Sequence, residues 1–126
     1  LIGIESSASA CDDFAVNLNA YDNVELYQDA AENVLPQLDT KIDVAIIDPP
    51  RAGMAKDALQ GLLRVAPHTL VYVSCDPATL ARDARLLMQG GYRLQSITPI
   101  DMFPHTSHIE SITKLSLQKE PVDDII

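Results

Sequence analysis

Val71-Tyr72-Val73-Ser74-Cys75 is an apolar run that ends on a thiol, and Asp76-Pro77-Ala78-Thr79-Leu80-Ala81-Arg82-Asp83 follows at once. The first half has the make-up of a buried strand. The second half opens like a helix, with Asp76 at the N-cap and Pro77 at the first helical position. A strand that passes directly into a helix is the repeating unit of an open α/β sheet. In such sheets ligands bind beyond the carboxyl ends of the strands. Cys75 therefore stands where a ligand would arrive and where the positive end of a helix favours a thiolate. Two readings stay open for it. Buried cysteines are common as packing residues, and Asp76 opposes a neighbouring thiolate unless its carboxylate is spent on capping. The alternative is a nucleophile.

The rest of the chain repeats this strand-and-helix alternation. Strands are expected at 1–4, 24–27, 42–47, 69–74, 92–100 and 109–117, and helices at 6–20, 30–38, 55–65 and 77–89. In the first helix, Cys11, Phe14, Ala15 and Leu18 share one face, with Asp12, Asp13, Asn17 and Asn19 opposite. The 42–47 run is almost wholly apolar, as a strand buried on both faces would be. It ends at Asp48-Pro49-Pro50-Arg51-Ala52-Gly53, which its prolines keep out of a helix. Gly90-Gly91 stops the last helix. Strands separated by helices make right-handed crossovers and hence a parallel, doubly wound sheet. The last two strands have no helix between them and should pair antiparallel. The expected fold is α/β, a mostly parallel sheet with a final antiparallel strand.

The chain has 126 residues, 47% of them apolar, which suits one domain with a packed core rather than a disordered segment. Residues 1–118 are expected to form that domain and residues 119–126 a tail. The chain opens inside an apolar strand-like run, so it reads as part of a longer protein whose preceding strand and Gly-rich turn lie outside it. A sheet lacking a strand exposes its edge, which makes self-association a further expectation. No apolar run approaches the ~20 residues that span a bilayer, and no signal-peptide pattern is present. A cytoplasmic, reduced setting is expected, with Cys11 and Cys75 unpaired. No Cys or His spacing has the form of a zinc site. A net charge of −9 argues against nucleic-acid binding by a broad basic surface on this segment.

Polar residues end the strands consistently. Glu5 follows the first, Asp29 the second, Asp48 the third and Cys75 the fourth. Parallel strands bring such residues to one edge. Each has a plainer reading. Glu5 is either an acid at a helix N-terminus or an acceptor for ribose hydroxyls. Asp29 is either a helix cap or a ligand contact. Cys11, on an apolar helix face, reads as inert core. The Asp48-Pro49-Pro50-Arg51 segment is a plain turn or a rigid loop that presents its carboxylate and carbonyls to a ligand, with Arg51 as a charged fork. Before the last strand, Phe103-Pro104-His105-Thr106-Ser107-His108-Ile109-Glu110 gathers two histidines and a glutamate. Either histidine alone suits a surface position. A glutamate entering an apolar strand is a candidate general base, because partial burial tunes carboxylates to that work.

Three segments in this order, Asp48-Pro49-Pro50-Arg51-Ala52-Gly53, then Ser74-Cys75-Asp76-Pro77-Ala78-Thr79-Leu80-Ala81-Arg82-Asp83, then Asp101 to Glu110, resemble the catalytic domain of the RNA 5-methyluridine methyltransferases. The resemblance runs from Gly3-Ile4-Glu5 to Glu110. It implies a Rossmann-like fold that uses S-adenosyl-L-methionine, and RNA, either tRNA or rRNA, as the substrate of the whole protein. It implies Cys75 as nucleophile, Glu110 as general base, Glu5 at the cofactor ribose, Asp29 by its adenine and Asp48 at its reacting end. Ser7-Ala8-Ser9-Ala10-Cys11-Asp12-Asp13 departs from the family, which usually has apolar residues there. With the Gly-rich turn outside the chain, the chain alone is expected to be inactive. Two alternatives accompany this reading: methylation of cytosine C5 in RNA, which also uses a cysteine, and a non-catalytic module of the same fold.

Overall fold

The computed structural model describes residues 1–106 and 108–118. The expected tail, 119–126, lies outside the described residues, as does Ser107 of the histidine-containing segment. The described residues form two compact units, Leu1–Asp39 with Ala55–Val65, and Thr40–Met54 with the described residues from Ala66 onward.

In the first unit, β1 (Ile2–Ile4) and β2 (Glu25–Tyr27) pair in parallel, with Ile4 opposite Tyr27. They are joined by α1 (Ala8–Leu18), which Ser7 caps through its side chain. Gly3 is required by packing: a Cβ there would stand 2.7 Å from the ring of Phe14 on α1. Cys11 is buried on α1 and its thiol donates to the Glu5 carbonyl at 3.4 Å. Burial, with Glu5 and Asp12 adding to it, pushes the Cys11 thiol pKa up, which suits an inert packing residue. The expected 30–38 helix is broken by Pro36 into α2 (Ala31–Val34) and a 3-10 turn, Leu35–Gln37. The amphipathic α3 (Lys56–Val65) buries Ala58, Leu59, Gly61 and Leu62. Gly61 lets α3 approach that turn, since a Cβ would meet Leu35 Cβ at 2.7 Å. Arg64 donates to the carbonyls of Leu35 and Leu38 at 3.1 and 2.6 Å.

The second unit holds β3 (Val44–Ile47), β4 (Thr69–Ser74), α4 (Pro77–Gln89), β5 (Tyr92–Ile100) and β6 (Glu110–Leu117). Its strand order is β3-β4-β6-β5. β3 and β4 are parallel. β6 is antiparallel to both its neighbours, so the final strand lies inside the sheet. Its side chains alternate with the pleat. Leu70 and Tyr72 of β4, Leu115 and Thr113 of β6, Tyr92 of β5 and Leu80 and Leu87 of α4 are all buried. The Tyr92 hydroxyl donates to the Pro67 carbonyl at 2.7 Å, and burial pushes its pKa up to about 12.

Two expectations change. The strands form two sheets, β1-β2 and β3-β4-β6-β5, rather than one. Apolar composition also misled at β3. It ends its sheet, and Val44 and Ile46 on one of its faces are 56% and 73% exposed, so it is not buried on both faces. Among the described residues no helix is long and apolar enough to cross a membrane.

Candidate active site

The turn that carries Cys75 is fixed from both sides. The Ser74 hydroxyl donates to the Asp76 carbonyl at 2.9 Å and accepts the Asp76 amide at 3.1 Å, closing a loop around the cysteine. The Asp76 carboxylate caps α4, with Oδ1 accepting from the amides of Ala78 and Thr79 at 2.9 and 3.0 Å. The Thr79 amide, followed by Ala78 and the Arg51 charge, holds the Asp76 carboxyl below its ordinary pKa against the opposing effect of burial. The negative charge beside Cys75 is therefore spent on the helix end. Cys75 itself is half-buried and free.

The sheet brings two acids to the same edge. β3 and β4 run in parallel with Ile47 opposite Tyr72, so Asp48 leaves the sheet at the end where β4 turns to Cys75. β6 runs the other way and enters at that end. The ladder closes with Ser74 opposite Ser111, so Cys75 follows, and Glu110 precedes, the last paired residues at the same end of the sheet. Adjacent strands lie ~4.8 Å apart. Glu110 is half-buried and pairs with Ile100 on its other side, whereas Asp48 is exposed.

Arg51 ties the loop after Asp48 to this turn. Its Nε lies 3.8 Å from Asp76 Oδ2, and its Nη2 lies 3.5 Å from His108 Nδ1. The His108 ring meets Phe103 edge-on at 6.0 Å. Thr106 folds the loop back, its hydroxyl donating to the Phe103 carbonyl at 2.7 Å and accepting the His108 amide at 3.2 Å. Asp48, Cys75 and Glu110 thus share one edge of one sheet, with an Arg–His pair beside them.

Glu5 and Asp29 lie in the first unit, at the shared carboxyl end of β1 and β2. Each makes local bonds. Glu5 Oε1 accepts the Ser7 amide at 2.7 Å. Asp29 Oδ1 accepts the Ala30 amide at 2.7 Å and the Asn33 side chain at 2.8 Å, and these bonds, Asn33 foremost, lower its pKa. Asp29 stands one residue before the Ala30 N-cap of α2, which has no side-chain cap of its own, and each carboxylate has a second oxygen besides the one that makes these bonds. Four residues of the second unit went unrecognised as a group in the sequence. Tyr72, Thr79, Arg82 and Asp83 surround the 51–54 loop, and the sequence marks Thr79, Arg82 and Asp83 only as members of the motif after Cys75.

The model of the family described as tRNA (uracil-5-)-methyltransferase matches residues 19–119. An uncharacterized RNA methyltransferase of Oceanobacillus iheyensis is 42% identical over 123 residues, covering 92% of this chain and 26% of that protein. One from Lactobacillus johnsonii is 44% identical over 124 residues, covering 94% and 27%. The chain spans about a quarter of the length of these curated relatives. Among solved structures, the tRNA (uracil-54, C5)-methyltransferase of Pyrococcus abyssi, in complex with S-adenosyl-L-homocysteine, is similar with a TM-score of 0.78 and 35% identity, over 91% of this chain and 28% of that one. Fibrillarin of Aeropyrum pernix, at 14% identity and a TM-score of 0.68 over 89% of this chain and 54% of that one, shares the fold. The fold is the Rossmann-like methyltransferase fold, and the chain belongs to the tRNA (uracil-5-)-methyltransferase family.

Proposed function

We propose that the protein carrying this chain methylates C5 of uridine in tRNA or rRNA, with Cys75 as nucleophile and Glu110 as general base. The observation that supports this is the β4–β6 register, whose last pair, Ser74 with Ser111, leaves the free Cys75 and the half-buried Glu110 at the same end of the sheet. C5 of uracil is a weak carbon nucleophile. Addition of the Cys75 thiolate to C6 forms an S–C6 bond and moves the C5–C6 π pair onto C5. When bound, S-adenosyl-L-methionine would supply the methyl group for C5 from its sulfonium, whose S–CH3 bond breaks to leave S-adenosyl-L-homocysteine. Glu110 removes the C5 proton, the C5–C6 double bond re-forms, and the S–C6 bond breaks to return the thiolate. The target base has to be unstacked for both side chains to reach it.

The residues at hand suit that cofactor. Ribose hydroxyls need acceptors, and Glu5 and Asp29 offer carboxylates at the shared end of β1 and β2. In the second unit by itself, Asp48, exposed at the end where β4 turns to Cys75, offers a negative charge that suits a cationic sulfonium centre. Both prolines after it lack amide donors and hold its backbone rigid. The chain's net charge of −9 assigns most phosphate contacts to other parts of the protein.

The test is Glu110→Gln in the native-length protein. It is expected to form the covalent RNA adduct and to accumulate it, because the C5 proton cannot leave. Turnover at the normal rate would remove Glu110 from the mechanism. Mass spectrometry of the product nucleoside should show 5-methyluridine, and 5-methylcytidine would contradict the substrate assignment.

A further inference from the structure

Asp83 belongs to the motif that follows Cys75, yet the reaction above gives it no task. It is 1% exposed and takes three hydrogen bonds. Oδ2 accepts the Tyr72 hydroxyl at 2.7 Å and the Met54 amide at 2.8 Å. Oδ1 accepts Arg82 Nε at 2.8 Å, and Arg82 Nη2 lies 2.8 Å from the same oxygen in an ion pair. Arg82 Nη2 also donates to the carbonyls of Ala52 and Met54 at 3.0 and 3.3 Å. The Thr79 hydroxyl donates to the Arg51 carbonyl at 3.1 Å. The opening turns of α4 thus hold Arg51, Ala52 and Met54 by their backbone. Gly53 completes the fit. Its φ is +79°, and a Cβ would stand 2.5 Å from Arg82 Nη2 and 2.7 Å from Asp83 Oδ2.

Stability alone does not account for this arrangement. A buried charge is costly to desolvate, and an apolar replacement of similar volume is often as stable. What the carboxylate supplies is direction. α4 begins two residues after Cys75, and the loop it grips begins at Asp48. The same helix therefore sets the backbone of the thiol and that of the loop.

We propose that Asp83, with Tyr72 and Arg82, is a positioning residue that fixes the Asp48–Gly53 loop relative to Cys75. It touches no reacting atom. It acts through the loop amide and carbonyls and so holds Asp48 and Arg51 in register with the thiol. This rests on the functional reading given above.

Two variants of the native-length protein test it, Asp83→Asn and Tyr72→Phe. Asp83→Asn keeps size but loses the charge that Arg82 pairs with. Tyr72→Phe removes one hydrogen bond and leaves the ion pair. The single-turnover rate of adduct formation on RNA carrying 5-fluorouridine should fall roughly 10- to 100-fold in Asp83→Asn, as small misplacements of reacting groups do. The KM for RNA should stay within about threefold, since the loop displacement affects chemistry rather than docking. Tyr72→Phe should fall by a smaller factor. Amide exchange at Gly53 and Met54 should rise at least about tenfold in Asp83→Asn, with the amides of β4 unchanged. A folded Asp83→Asn that reacts at the wild-type rate overturns the proposal. If Asp83→Asn does not fold, Tyr72→Phe at the wild-type rate overturns it. If the wild-type protein forms no adduct, the functional reading fails, and unchanged exchange at Gly53 and Met54 in either variant separately overturns the positioning role.

Discussion

Gly53→Ala concentrates the physics of the loop in one methyl group. Two costs add. The first is conformational: φ is +79°, and holding an L-residue with a Cβ in that region costs about 1–2 kcal/mol. The second is steric. The new Cβ would stand 2.5 Å from Arg82 Nη2 and 2.7 Å from Asp83 Oδ2. The Arg82 side chain is 50% exposed and can swing away, but that of Asp83, at 1%, cannot. Displacing the carboxylate stretches its bonds to Tyr72 and Met54, and a buried group left short of partners costs about 1–3 kcal/mol. The sum is about 2–5 kcal/mol. Gly91→Ala is the control. Its φ is +99°, but the nearest atom to its Cβ, Leu117 Cδ1, is 3.7 Å away, so only the conformational cost applies. Urea unfolding with matched m values would measure both. Gly53→Ala should lie below Gly91→Ala by at least about 1 kcal/mol. Equal losses would refute the contribution assigned to the Asp83 carboxylate.

Thr113 is fully buried on β6, and among the described residues its hydroxyl has no hydrogen-bond partner. Thr113→Val should therefore leave stability unchanged or raise it by up to about 1 kcal/mol, and a clear loss in urea unfolding would reveal a partner for the hydroxyl. Asp76 gives a pH signature. Its folded pKa is depressed by the Thr79 and Ala78 amides and by Arg51, so its ionised form contributes stability above the unfolded value of about 4, and that contribution is lost as pH falls through the lower folded value. Asp76→Asn keeps a capping oxygen without the charge. Wild type should be the more stable at pH 7, with the gap closing below about pH 4. A gap constant from pH 7 to 3 would contradict the assignment.

Legibility followed the punctuation of the chain. Thr69–Ser74, Pro77–Gln89 and Tyr92–Ile100 lie where the sequence puts them, because Asp76-Pro77 and Gly90-Gly91 fix both ends of α4. The missing helix between the last two strands correctly implied their antiparallel pairing. It carried no information on which neighbour lay on the other side of β6, a matter of packing at long range. β3 shows the limit of composition. An all-apolar run reads as doubly buried, yet Val44 and Ile46 are open. Cys75 and Glu110 stand out as candidates because each breaks the character of the strand beside it. The Tyr72–Asp83–Met54 bonds were not, since they join residues 11 and 29 positions apart that show no local pattern.

Covalent trapping is the direct test of Cys75 as nucleophile. The native-length protein, incubated with RNA carrying 5-fluorouridine and S-adenosyl-L-methionine, should form a stable complex whose attached nucleotide maps to the peptide containing Cys75. Fluorine at C5 stands in place of the proton whose removal the proposal assigns to Glu110, so the S–C6 bond should persist. Cys75→Ala should abolish the complex. A complex that persists in Cys75→Ala, or an attachment at another residue, would contradict the account.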